Sequence, residues 1–133
     1  MQSKEIHIIG GEIMESENTI CPICENYFFE FPDDYDICPI CGWENDGLQR
    51  DKRDYWGGAN TLSVNEAKLV YNLSKNDSTK SKISDIIEEY QRRNNEIRTK
   101  YKEINHTTMK GKRCREAFAQ AHNDFVTALN KLV

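Results

Sequence analysis

Along the back of the chain, apolar residues recur at alternating steps of four and three. Ile83, Ile87, Tyr90, Asn94, Ile97, Tyr101 and Ile104 form one such row, a heptad seam with a single polar member, Asn94. After the polar stretch "NHTTMKG", a second row follows through Cys114, Phe118, Ala121, Phe125, Ala128 and Leu132. Two helices of similar length joined by a short polar loop are expected to fold back as an antiparallel hairpin. An Asn on a packed seam needs a polar partner or water, either within the chain or across a dimer.

The front of the chain follows other periods. Tyr27, Phe29 and Phe31 alternate with Phe28 and Glu30, the two-residue repeat of a strand. Pro32-Asp33-Asp34 then reads as a turn and Tyr35 to Ile37 as a short returning strand. Residues 4–14, "KEIHIIGGEIM", read as two further short strands around Gly10-Gly11. Residues 44–62 are rich in Asp, Gly and Asn and read as loop. Ser63 and Glu66 have capping-box spacing, which predicts a helix over "VNEAKLVYNL". The polar stretch "SKNDSTKS", residues 74–81, is the expected linker, dividing the chain into 1–76 and 77–133.

Composition narrows this picture. The 133 residues are 38% apolar and 30% charged, a thin supply of core that would gain from a staple. Residues 1–79 carry six Lys/Arg and fifteen Asp/Glu, a balance of -9; residues 80–133 carry twelve and seven, a balance of +5. An acidic front and a basic back suggest two surfaces with different partners. No apolar run approaches the roughly 18 residues of a membrane helix, and "MQSKEIHIIGGEIM" lacks a signal-peptide core. A cytoplasmic location is therefore expected, where thiols stay reduced and paired C-x-x-C motifs bind metal or do redox work.

The candidate chemistry is a duplicated phrase. Cys-Pro-Ile-Cys occurs at Cys21–Cys24 and again at Cys38–Cys41, with thirteen residues between. Each C-x-x-C offers two thiolates from one turn of backbone, and two such knuckles supply four sulfurs to one tetrahedral Zn²⁺. Pro22 and Pro39 stiffen the turns, and Gly42 lets the chain bend past the fourth ligand. The expected fold is thus α+β: a small zinc ribbon, its β-hairpin carrying a knuckle at each end, then a short helix and the helical hairpin. The ion would be a single structural Zn²⁺ held by Cys21, Cys24, Cys38 and Cys41. Two redox dithiols are the alternative, but these usually accompany a βαβ pattern, which the sequence lacks. Four sulfur ligands leave no position for a reacting water, so Zn catalysis is not expected.

The stretch from Cys21 through "CGWENDGLQRDKRDYWGGANTLSVNEAKLVY" resembles the bacterial cysteine-rich CPCC family over about residues 20–73. Trp43, Glu44, Gly47, Asp54, Tyr55, Gly57, Gly58, Ala59, Asn60, Asn65, Glu66 and Ala67 fall on the family pattern. The first knuckle departs from it, reading C-P-I-C where members commonly write C-P-C-C; the ligand positions survive that change. The resemblance implies a small zinc-binding domain and no assigned reaction.

Other candidates carry less. Glu44, Asp46, Asp51 and Asp54 read as turn formers and a solvated rim, with no His beside them. "DYWGGAN" is a turn whose Tyr55 and Trp56 pack on the ribbon, or else a loop admitting a ligand. His7, His106 and His122 lie on separate elements, and Cys114 sits on the second seam as a small apolar residue. Nine basic residues lie between Arg92 and Arg115 against Glu96 and Glu103. With no active-site constellation, the expected role is a non-catalytic interaction module. Its acidic front (Asp33, Asp34, Asp46 and Asp51) would meet a basic protein partner, as an immunity-type protein meets a bacterial toxin such as a nuclease. The alternative is a nucleic-acid-binding ribbon using the basic helices.

Overall fold

The computed structural model describes residues 8–9, 12–13, 19–102 and 109–133. Its order of elements is β1 (Ile8–Ile9), β2 (Glu12–Ile13), α1 (Gly47–Asp51), α2 (Val64–Ser74), α3 (Asp77–Lys100) and α4 (Met109–Asn130). The chain forms two compact units, Met1–Tyr71 and Asn72–Val133.

The architecture corrects the expected α+β zinc ribbon. The described residues are mainly helical, and their strand pairing is confined to the two-residue pair β1–β2 and two isolated bridges, Ile20–Phe28 and Ile37–Glu44. No β-hairpin joins the two knuckles. Each knuckle instead closes on the residues just after it: Cys21 N donates to Tyr27 O at 2.7 Å, and Cys38 N to Trp43 O at 2.8 Å. The chain between them cannot return as a strand because Tyr35 is left-handed (φ 59°) and its N–H donates to Asn45 O at 3.0 Å. The Asn45 amide completes the diversion by donating to Phe31 O at 2.8 Å and Asp34 Oδ1 at 2.9 Å. The alternation Tyr27-Phe29-Phe31 therefore never becomes one buried face. Phe29 is buried and Tyr27 half-buried with their rings edge-on at 5.2 Å, while Phe31 is 57% exposed.

Residues 44–62 are also not all loop. Asp46 caps α1, accepting from Leu48 N at 2.9 Å and Gln49 N at 3.2 Å. The capping box is as expected: Glu66 N donates to Ser63 Oγ at 3.2 Å, and Ser63 N to Glu66 Oε1 at 3.0 Å. α2 then packs Val64, with Ala67 and Tyr71 half-buried, against the core of the first unit. The expected linker of residues 74–81 shrinks to Lys75 and Asn76, because Asn76 is an N-cap that accepts from Ser78 N at 3.0 Å and starts α3. Asn, Ser and Asp read as linker by composition, yet they are the residues that start helices.

In the second unit α3 and α4 run antiparallel, with Tyr90 stacked on Phe125 at 4.4 Å, Arg93 paired to Asp124 at 2.6 Å and Arg98 over the Phe118 ring. Ile83, Tyr90 and Asn94 are buried along the first seam, and Cys114, Ala121 and Phe125 along the second. Leu129 is also fully buried there, a position the second row passes over in favour of Ala128. Ile104 and most of the expected loop lie outside the described residues, and Met109 to Gly111 of that loop belong to α4.

Candidate metal centre

Two copies of one local structure make the site. In each knuckle the N–H after the second cysteine donates back to the first cysteine's carbonyl: Glu25 to Cys21 O at 3.0 Å, Gly42 to Cys38 O at 2.9 Å. Both closing residues are left-handed, with φ of 57° for Glu25 and 85° for Gly42. The second copy has the glycine this conformation favours; the first holds a glutamate there, whose side chain pairs with Lys68 of α2 at 3.0 Å. A Cβ on Gly42 would meet nothing within 4 Å, so its only penalty is the backbone angle. Gly42→Ala is expected to cost about 1–2 kcal/mol, read as a shift of the denaturant midpoint at constant slope. An unchanged midpoint would show that the turn tolerates a side chain.

The knuckles face each other. Cys21 Sγ lies 3.5 Å from Cys41 Sγ, and Cys24 Sγ 3.6 Å from Cys38 Sγ. All four sulfurs fall within 4.8 Å of one another, a potential metal-holding group. At a Zn–S distance of about 2.3 Å, the sulfurs of a regular tetrahedron are about 3.8 Å apart, which this spacing brackets. The separations far exceed a disulfide bond, and all four are free thiols. Cys21, Cys24 and Cys38 are buried and Cys41 is half-buried, the more exposed side of the cluster. Ile23, Phe29, Trp43 and Val64 form the apolar wall around the thiols.

Crowding divides the thiols by acidity. A hydrogen bond from Cys41, outweighing burial, brings Cys21 down to about 5. Burial pushes Cys24 up to about 11, and Cys41 rises by giving its hydrogen bond to Cys21 and by burial. The metal-free cluster thus favours one thiolate stabilised by a neighbouring thiol, and a thiophilic cation would displace the remaining protons.

The second knuckle leads into a buried polar network that the sequence did not reveal. Gln49 is fully buried, donating through Nε2 to Tyr55 O, Asn60 O and Leu62 O at 3.0–3.1 Å. Its Oε1 accepts from Asn60 N at 3.0 Å and Asn60 Nδ2 at 2.9 Å. Asn60 in turn brackets Glu44, accepting from its N–H at 2.9 Å and donating to its carbonyl at 2.8 Å. Arg50 joins both knuckles, giving one N–H to Ile20 O at 2.6 Å and another to Asn45 Oδ1 at 2.5 Å. The signal that could have found these partners was the glycine pair in "DYWGGAN". A Cβ on Gly58 would sit 2.8 Å from Asp46 Oδ2 and 2.9 Å from Gln49 Cδ, so the loop closes over α1 at glycine distance. The loop is thus closed over α1 at Gly58, but Tyr55 is 40% exposed and Trp56 half-buried, so the expected packing of Tyr55 against the first unit is not seen.

The four acidic candidates are not one surface. Asp46 is buried, and besides capping α1 it accepts from Ala59 N at 3.0 Å, so it is no rim charge. Asp34 is half-buried and holds its own turn, accepting from Phe31 N at 3.2 Å and Asp36 N at 3.1 Å. Burial works to raise its carboxyl, but the bonds from Asn45 and these backbone amides hold it below the usual range. Asp33 and Asp51 remain exposed. His122 is buried with Nδ1 2.8 Å from the Tyr90 hydroxyl, and Cys114 is buried on α4. His7 and His106 lie outside the described residues. No described helix is long and apolar enough to cross a membrane.

A family model described as Cysteine-rich CPCC matches residues 19–85, from the residues before the first knuckle into α3. Among curated proteins, none matches the chain.

Proposed function

Because this chain belongs to the cysteine-rich CPCC family, with its four cysteine sulfurs drawn within 4.8 Å, we propose that it holds one structural Zn²⁺ and acts as a non-catalytic protein-docking module. The gathered thiols are the observation that carries the metal assignment. Cys21, Cys24, Cys38 and Cys41 would be the ligands, and the ion would supply cross-linking, tying two knuckles that no shared strand connects. With four thiolates no open coordination position remains, so the ion would not activate water.

What supports docking is the surface of the segment between and beyond the knuckles. Phe31, Tyr35, Ile37, Ile40 and Leu48 are each about half exposed or more. Asp33, Asp36 and Asp51 are exposed in the same stretch. Large apolar side chains interleaved with carboxylates suit a protein partner that is basic around an apolar contact. A basic toxin met by an immunity-type protein is one such partner. The nucleic-acid alternative is the weaker reading, since two of its nine cations are already matched: Arg92 pairs with Glu89 and Glu96, and Arg93 with Asp124.

Native mass spectrometry is expected to show one Zn per chain at neutral pH. Occupancy should fall on acidification, affinity weakening about tenfold per pH unit for each proton displaced, most steeply once Cys21 also protonates near about 5. A folded chain with no metal would overturn the metal assignment. For docking, wild-type protein should capture a basic partner that Phe31→Ser/Ile37→Lys, still zinc-loaded, does not. Equal capture by both would overturn that surface.

A further inference from the structure

The four gathered thiols differ in what reaches them and in what they touch. Cys41 is half-buried, with Pro39, Ile40 and Gly42 around it exposed, while Cys21, Cys24 and Cys38 are buried. The Cys41 sulfur meets that of Cys21 across the knuckles at 3.5 Å, and Cys24 meets Cys38 at 3.6 Å. Cys38, the other cysteine of Cys41's own knuckle, is engaged elsewhere: besides Cys24, its sulfur accepts from Ile40 N at 3.4 Å. An oxidant arriving from solvent therefore meets Cys41 first, and the thiol already in contact with Cys41 is Cys21. One accessible sulfur with a second thiol poised beside it is the arrangement of a peroxide-responsive pair.

We propose that Cys41 is the site at which a hydroperoxide oxidises this chain, and that Cys21 resolves it as a cross-knuckle disulfide. The Cys41 sulfur attacks the terminal peroxide oxygen: an S–O bond forms, the O–O bond breaks, and the departing oxygen leaves with the thiol's proton as water or alcohol. The Cys21 sulfur then attacks Cys41: the S–S bond forms, the S–O bond breaks, and hydroxide leaves with the Cys21 proton as water. Two thiols thus give two electrons to one peroxide. With two of the four sulfurs bonded to each other, the ligand set is broken and zinc is released. That release rests on the zinc assignment above; the sulfur pairing does not. The direction of pairing decides what oxidation does to the fold. A bond inside either knuckle would leave the two turns untied, since among the described residues no strand joins them. A Cys21–Cys41 bond ties them covalently across a separation of 20 residues, which restricts the unfolded chain as the ion did. The oxidised front unit therefore stays folded without metal.

The test treats the full-length protein, its zinc content measured first, with about one equivalent of hydrogen peroxide and then alkylates the remaining thiols in denaturant. The chain is expected to lose two hydrogens and to release its zinc to a chromophoric chelator at the rate the disulfide forms. Of its five cysteines, those outside the bonded pair (Cys24, Cys38 and Cys114) should stay open to alkylation. Cleavage after glutamate should yield residues 18–25 joined to residues 31–44, and breaking the Cys-Pro bonds by tandem mass spectrometry should place the link on Cys21 and Cys41. Tryptophan emission should stay blue in the oxidised, metal-free chain and shift to the red only when dithiothreitol is added with the chelator present. A bond inside either knuckle, a Cys24–Cys38 bond formed first, a sulfinate left on Cys41 or a chain unchanged by peroxide would each overturn the proposal. So would emission that reddens with the disulfide in place. Protein that carries no zinc from the start overturns the metal assignment alone, because the same mapping still decides the pairing.

Discussion

Cys38→Ser is expected to unfold the Met1–Tyr71 unit and abolish stoichiometric zinc binding. The front unit has little else to hold it. Among its described residues, strand pairing reduces to β1–β2 and two isolated bridges, its wholly internal helix α1 has five residues, and four of its core members are the cysteines themselves or their half-buried neighbour Cys41. A structural Zn²⁺ contributes about 10–16 kcal/mol in zinc-finger peptides, comparable to or above the 5–15 kcal/mol that stabilises a whole domain. Replacing one thiolate leaves three ligands and a weak hydroxyl. Tryptophan emission is the reporter: it comes from Trp43, buried beside the cluster, and half-buried Trp56 of the same unit, and it should shift to the red as the wall of Phe29 and Val64 opens. Far-UV helicity should fall only modestly, since α3 and α4 hold most of the helical residues. Blue emission and one zinc per chain in the serine variant would show that three thiolates and the polar network suffice.

The cysteines were legible because their chemistry is local: a C-x-x-C announces two ligands in one turn, and repeating it announces the site. The helical hairpin was legible because alternating steps of four and three, sustained from Ile83 to Tyr101, match a packed helix and no strand or loop. Asn94 is buried on the seam where that pattern put it. The strands between the knuckles failed for the converse reason. Alternation over five residues is weak, and here it competed with a left-handed Tyr35 and with an Asn45 amide fourteen residues from Phe31, the carbonyl it claims. Asp46 was misplaced for a related cause. Asp is a surface residue by frequency and a helix cap by geometry, and only the close approach of Gly58 and Ala59 reveals that it is covered. Polar residues whose partners are distant backbone groups carry no period, so Gln49, Arg50 and Asn60 stayed silent.

Gln49→Ala should destabilise the front unit by about 3–4 kcal/mol, the largest effect expected from any position outside the ligands. The side chain has five hydrogen-bonding partners and no exposure of its own, its two N–H groups shared among three carbonyls. Three carbonyls on the 55–62 loop lose their donor, and Asn60 loses its acceptor, in a place where water has little room. Each orphaned buried group costs about 1–3 kcal/mol, less than additively because the loop can relax toward solvent. Gln49→Met separates hydrogen bonding from volume: it keeps the bulk, removes the amide, and should lose nearly as much as alanine. Gln49→Glu keeps the size but turns acceptor oxygens toward carbonyls, so it should also destabilise, and less at low pH where a protonated carboxyl can donate. Because Asn60 takes part in three of the bonds, one of them through its own side-chain amide, Gln49→Ala and Asn60→Ala should be non-additive in a double-mutant cycle. Urea unfolding of the zinc-loaded chain, followed by the emission of Trp43 and Trp56, measures all of these. A methionine variant as stable as wild type would mean that Gln49 serves only as filler beneath the glycine turn.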